Sequence, residues 1–252
     1  VDTAVRQLFE PQRPAQENLR LALLEIDPDV RRGAVARVAG SSDCHRDWAV
    51  RGFAAIALMD SDPQARCVAI RGLARSGEAT AVETLLKILN FRDYPPEEVR
   101  PPDESVRWDA VVALTQLSQR GRIAPEQSER VAAALLDRLD NDSSRDVRIA
   151  AARGLGDCPQ ERVVEALIRT LREEDFGLVH ACESALVRLT GVTHDCDAYA
   201  WGQWLEANRP ALFAQAGHVP ESRRPKYANG LEKFFYEAGD LIRWLFPGAK
   251  ER

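Results

Sequence analysis

The side chains with the most chemical potential in this chain are four arginines at one recurring position and two His-x-Cys pairs. Arg31, Arg66, Arg107 and Arg148 each follow a small or branched apolar residue, and each stands four residues after Asp27, Asp62, Asp103 or Ser144. Aligned guanidiniums make anion sites, because each presents a planar fork of donors that matches a carboxylate or phosphate. A structural use fits the same spacing: Asp and Arg four apart on a helix meet across one turn, and stacked copies form a ladder that ties repeats together. The ladder is the expectation adopted. His180 with Cys182, and His194 with Cys196, offer imidazole and thiol near Asp195 and Asp197, a set that could hold zinc. Residues two apart on a helix point to nearly opposite sides, and Cys182 takes the small core position of its repeat, so no metal ligand is assigned.

Those arginines belong to an internal repeat that dictates the elements around them. Its copies read Asp27, Val30-Arg31, Ala34, Val38; Asp62, Ala65-Arg66, Ala69, Leu73; Asp103, Val106-Arg107, Ala110, Leu114; Ser144, Val147-Arg148, Ala151, Leu155; and Asp175, Leu178-Val179, Cys182, Leu186. The anchors recur roughly 31 to 41 residues apart, the range of stacked helical hairpins. Each Asp or Ser can cap a helix by accepting from the free N–H groups of its first turn. Between anchors runs a second helix with its own recurring text, as in Thr84–Leu89, Ala134–Leu139 and Ala166–Leu171. The pattern predicts helices over 12–25, 28–39, 45–58, 63–76, 79–90, 104–119, 125–139, 144–156, 161–173, 176–189 and 198–214. Ala34, Ala69, Ala110 and Ala151 let neighbouring helices approach closely.

Composition agrees with helix and narrows the partners. The chain has 252 residues, 7% aromatics and a net charge of -5, which argues against nucleic acid or an anionic membrane held by the whole surface. Its five Cys (Cys44, Cys67, Cys158, Cys182, Cys196) form no C-x-x-C pair and read as free thiols. The sequence starts at Val1, with no charged-then-apolar leader and no long apolar run, and is read as a trimmed or processed chain without a spanning segment. Its compartment stays open: soluble or peripherally attached, cytoplasmic or exported after loss of a leader.

The motif D-x-x-V-R-x-x-A-x-x-x-L resembles the HEAT repeats, particularly the short bacterial, phycobilisome-lyase-type form, over residues 12 to 210. The resemblance implies an all-α, right-handed α-α superhelix of about five helical hairpins that works as a surface. The stretch Asp197-Ala198-Tyr199-Ala200-Trp201-Gly202-Gln203-Trp204 is similar to a closing element of bacterial HEAT proteins, in which Tyr199, Trp201 and Trp204 would seal the last hairpin. Enzyme classes built on this scaffold find little support. The His-Glu pairs of iron-binding HEAT-type hydroxylases are missing, and Trp108-Asp109 is only a faint echo of the alkylpurine DNA glycosylases. No Gly-rich phosphate loop or G-x-S-x-G turn occurs. A chromophore or tetrapyrrole lyase remains the alternative, although the matching residues are those that fold the scaffold.

Two stretches break the repeat. Residues 92–104, with Pro95, Pro96, Pro101 and Pro102, cannot continue a helix and should form a stiff extended loop. Residues 217–226 read as a linker to a last helix near 227–246, whose Leu231, Phe234, Phe235, Leu241 and Leu245 share one face. This divides the chain into a solenoid over 1–216 and a linker with C-terminal amphipathic helix over 217–252. That helix has three competing uses: covering the solenoid, docking into a partner, or lying on a membrane surface. The resulting expectation is a non-catalytic protein-interaction scaffold without cofactor or metal, whose partner is another protein or larger assembly and not nucleic acid. Binding would use a concave face made by the second helices, the 92–104 loop, or the terminal helix. Candidate contacts are Trp48, Arg51, Tyr94, Glu97, Arg138, Arg169, Arg172, Phe234, Phe235, Leu241 and Trp244.

Overall fold

A computed structural model describes residues 13–218 and residue 220. The chain divides into two units, residues 1–218 and 219–252, and the description concerns the first. The expected terminal helix, with Phe234, Phe235, Leu241 and Trp244, lies outside the described residues. Among the described residues there are α-helices and short 3-10 turns but no strand: α1 Ala15–Leu24, α2 Pro28–Gly40, α3 Asp47–Met59, α4 Pro63–Ser76, α5 Ala79–Leu89, α6 Glu104–Gln119, α7 Pro125–Asn141, α8 Arg145–Leu155, α9 Glu161–Thr170, α10 Phe176–Thr190 and α11 Ala198–Asn208. The last is shorter than expected, because the chain turns into a 3-10 segment, Arg209–Ala211, around Pro210.

The helix starts follow the caps. Asp27, Asp62, Asp103 and Asp175 accept from the backbone N–H of Asp29, Ala65, Val106 and Leu178 at 2.9 to 3.0 Å. Asp197 does the same for Tyr199 and Ala200. Pro28, Pro63 and Pro125 stand in the first turn, where a missing N–H is harmless. The chain leaves α10 through Gly191 at φ 76°, a left-handed conformation that disfavours a side chain.

Packing reverses one expectation about the hairpins. The motif helices α2, α4, α6, α8 and α10 each pack against the helix before them, α3 with α4 and α7 with α8 for example, while α4 and α5 touch little. The motif helix is therefore the second of its pair. The cause is the short acidic turn ahead of it, such as Asp60-Ser61-Asp62 or Asp142-Ser143-Ser144, which folds the chain straight back. Neighbouring motif helices also lie closer to one another than the helices of the other layer do. Ala34, Ala69, Ala110, Ala151 and Cys182 are fully buried between them. Stacking two layers of unequal spacing curves the array toward the tighter one, so the motif layer lines the inner side. The concave face expected on the other helices thus moves to α2, α4, α6, α8 and α10.

The arginine ladder exists, with partners other than the Asp four residues earlier. In the first three copies that Asp is occupied as a cap, in the fourth Ser144 stands there without a side-chain cap bond, and each Arg reaches instead into the hairpin turn of the next repeat. Arg31 donates from Nε and Nη2 to Asp60 at 2.9 and 2.7 Å, and Arg107 does so to Asp142 at 2.8 and 2.9 Å. Arg148 donates to Glu173 at 3.0 and 2.7 Å. Arg66 departs from the series, because the Pro-rich insertion fills the place of a turn carboxylate. Its guanidinium donates to the carbonyls of Ala57, Arg100 and Pro101 at 2.8, 2.9 and 3.3 Å. The insertion is accordingly pinned rather than extended: Arg100 N–H donates to Leu58 C=O at 3.0 Å, and Val99 is buried.

Candidate partner-binding face

Once the caps, ladder and core positions are assigned, the residues that remain on the motif helices are those facing solvent. Positions seven and eleven after each cap enter the core, and positions five, nine and thirteen fall on the opposite side of a 3.6-residue helix. On α4 these are Arg71 and Arg75, with Cys67 at the first such position buried, on α6 Trp108, Val112 and Gln116, and on α8 Ile149 and Arg153, followed by Asp157 just past the helix. Trp108 is 40% exposed, an unusual state for so large an apolar ring in a layer built for close contact.

Charges frame that ring. Arg71 donates from Nε and Nη2 to Asp109 at 3.0 and 2.9 Å; Asp109 is buried while Arg71 stays largely exposed. The hydrogen bonds from Arg71 to Asp109 hold its guanidinium above its usual value, against the smaller pull of burial. Arg75 and Arg153 are exposed and form no ion pair with any described residue. Asp157 is engaged by Arg188 at 3.1 Å and by Gln119 at 3.1 Å. Cys67 is unsuited to nucleophilic work: burial pushes its thiol up to about 12, and its Sγ lies 3.5 Å from Ser105 Oγ.

The contacts expected from sequence are scattered over the other layer. Trp48 is half-buried on α3 in an open cleft of about 470 Å³ with Leu19, Leu23 and Leu24 of α1. Arg51 is exposed and paired with Asp47 within its own helix. Tyr94 lies under Lys87, whose Nζ is 5.0 Å from the ring centroid, and Glu97 is exposed on the insertion. Arg169 is exposed and bonded to Asp140, and Arg172 is exposed after α9. Arg138 is a correction: it is 7% exposed, with its guanidinium held by Asp142 and Asp137, so it supports the ladder and offers no surface. These residues do not converge on one site.

The closing element is built on a residue that sequence reasoning passed over. Glu183 is fully buried on α10 and accepts from Thr193 Oγ1 at 2.5 Å, Trp201 Nε1 at 2.6 Å and Cys196 N–H at 3.2 Å. Val35, Ile70, Val111 and Ala152 occupy the matching register in the other copies, so an acid among them was a legible signal. Trp201 is buried and meets Trp204 edge to face at 5.5 Å between ring centroids. Tyr199 is 73% exposed and does not seal the hairpin, because its place in the first turn of α11 faces outward. A second open cleft of about 470 Å³ lies beside α11, lined by Glu161 and residues 209–214. Neither cleft gathers His or Cys side chains. Among the described residues no group of three or more His, Cys, Asp or Glu could hold a metal ion, and no helix is long and apolar enough to cross a membrane.

Two layers of paired helices, tied by a residue ladder that repeats from hairpin to hairpin, define an α-solenoid of the repeat-protein class. Residues 132–197 match the family model of HEAT repeats, so the HEAT-like character read from the motif holds there. The fold is similar to the crystal structure of an engineered protein at a TM-score of 0.51 and 17% identity, covering 78% of this chain and 91% of that one. A crystal structure of computationally designed armadillo repeat proteins for modular peptide recognition aligns at a TM-score of 0.47 and 13% identity, over 90% of this chain and 99% of that one. No curated protein matches the chain.

Proposed function

We propose that the chain is a non-catalytic protein-interaction scaffold that takes a segment of a partner across the solvent face of α4, α6 and α8. The observation that carries this reading is Trp108, exposed on the tightly packed layer, with Arg71 of α4 bonded to the adjoining residue Asp109 and Ile149 at the matching register of α8. Exposed aromatics and arginines are the side chains from which binding hot spots are drawn. A stack of hairpins holds them at fixed spacing, which lowers the ordering cost of association. The lyase-type alternative would need acid and base side chains converging in an enclosed pocket, and the two clefts described above are open and lined mainly by apolar side chains.

The test is affinity capture from the native extract with the wild-type chain, a Trp108→Ala/Ile149→Ser variant, and an Arg130→Ala/Arg169→Ala control on the other layer. A polypeptide retained by wild type and control and lost from the Trp108→Ala/Ile149→Ser variant supports the assigned face. Equal retention by all three baits, or none, overturns it.

A further inference from the structure

The two layers of the solenoid carry opposite charge. The motif helices α2, α4, α6, α8 and α10 hold eleven Arg against five Asp or Glu, while α1, α3, α5, α7, α9 and α11 hold seven Lys or Arg against ten Asp or Glu. The asymmetry opposes the net charge of -5 and peaks on α4, which has three Arg and no carboxylate. Arg66 adds to it, because its buried guanidinium is met only by carbonyl oxygens, whereas Arg31, Arg107 and Arg148 are each neutralised by a turn carboxylate. Around Trp108, Glu104 at the start of α6 is the one exposed carboxylate on α4 and α6, and Arg75 and Arg153 project without an ion pair among the described residues.

Resting on the scaffold reading above, we propose that the partner segment is an acidic peptide of another protein that places an aromatic or long aliphatic side chain on Trp108 and Val112 and sets carboxylates against Arg71, Arg75 and Arg153. The physical grounds are complementary. Arg71 is already oriented by Asp109 and needs little further ordering, and a guanidinium on α4 with an exposed indole on the adjoining α6 can offer a peptide both a carboxylate partner and a ring surface. Unpaired arginines on a concave, partly apolar surface also raise the local concentration of an anionic chain and speed encounter. A basic segment would meet repulsion on this face. The acidic outer layer of a second copy has the right charge, but most of its carboxylates are engaged, Glu83 with Arg130, Asp140 with Arg169, and Glu161 and Glu165 with Arg209 for example.

Selection of a randomised peptide library on the immobilised full chain tests this, with each enriched peptide remeasured by fluorescence anisotropy. The expected result is enrichment of net-negative peptides containing Phe, Trp, Tyr or Leu, whose binding falls at least about tenfold in Arg75→Glu/Arg153→Glu and weakens with salt. Both substitutions are at exposed positions, and far-UV circular dichroism confirms that the variant is folded. Neutral or basic peptides that depend on Trp108 would overturn the acidic assignment and leave the scaffold reading standing. Peptides indifferent to both Trp108 and the arginines, or none, would overturn both. Two further arms close the alternatives: tighter Arg75- and Arg153-dependent binding of a labelled DNA or RNA oligonucleotide at physiological salt, or self-association that these reversals abolish, would each overturn the peptide proposal.

Discussion

Asp142 is the residue on which the ladder is most exposed to a single change. Its side chain is 1% accessible and accepts from Arg107 Nε at 2.8 Å, Arg107 Nη2 at 2.9 Å, Arg138 Nη1 at 3.3 Å and the Ser144 N–H at 2.9 Å. Asp142→Asn preserves volume but removes the anion, turns one acceptor into a donor aimed at guanidinium, and leaves Arg107, only 13% accessible, without its counter-charge. Breaking a buried pair from one side costs about 3 to 5 kcal/mol, a large part of the roughly 5 to 15 kcal/mol that stabilises a typical domain. With a slope of about 2 to 3 kcal/mol per M, the urea midpoint followed by circular dichroism should fall by about 1 to 2 M. Because each repeat leans only on its neighbours, the damage concentrates where the third hairpin meets the fourth, and the transition should broaden. Arg169→Ala, which breaks the exposed pair with Asp140, is the control and should cost less than about 1 kcal/mol. Acid titration adds a second readout. Burial works against the Asp142 carboxylate, but the donors from Arg107 and Ser144 and the charges of Arg107 and Arg138 outweigh it and hold its pKa below 3.8. The folded value lies below the unfolded one, so this stabilisation is present above about pH 4 and is lost as pH falls through the folded value. The Asn variant should lose less stability on acidification than wild type. A midpoint shift no larger than that of the control, with unchanged acid dependence, would refute the ladder as a stabilising element.

Three other outcomes follow from the same packing. Gly191→Ala places a Cβ at φ 76° against the Gln215 carbonyl oxygen, so a thermal melt should show a loss above the roughly 1 to 2 kcal/mol of a left-handed backbone alone. Ala110→Leu overfills a fully buried contact between motif helices and should cost about 1 to 3 kcal/mol in urea unfolding. Burial pushes the Cys182 thiol from 9.0 up to about 12, so its contribution is intact below pH 9 and is lost as pH rises toward 12; Cys182→Ala, the residue found there in four other copies, should make alkaline destabilisation shallower in melts recorded across that range.

Helices and their starts were the most legible part of the sequence, because cap and apolar spacing are local properties. The predicted 63–76 and 104–119 coincide with α4 and α6. Hairpin pairing was not legible in the same way: α4 lies two residues from α5 in sequence yet packs on α3, and only the tight turn Asp60-Ser61-Asp62 hints at that choice. For the candidate face, Arg138, singled out by residue type, is buried support, and in the closing element Tyr199, expected to seal the last hairpin, is an outward ring. In the sequence Trp108 stands out only beside Asp109, which the structure commits to Arg71.

By itself, then, the sequence determined the repeat, the caps and the existence of an arginine column, since each depends on spacing along one helix. Tertiary structure decided the partners. A guanidinium reaches whichever oxygen the next hairpin brings near it, and that proved to be Asp60, Asp142 or Glu173 in three repeats and the carbonyls of Arg100 and Pro101 in the one lengthened by insertion. It also decided which layer is inner, because curvature follows the relative spacing of two stacked layers, a quantity no single helix encodes.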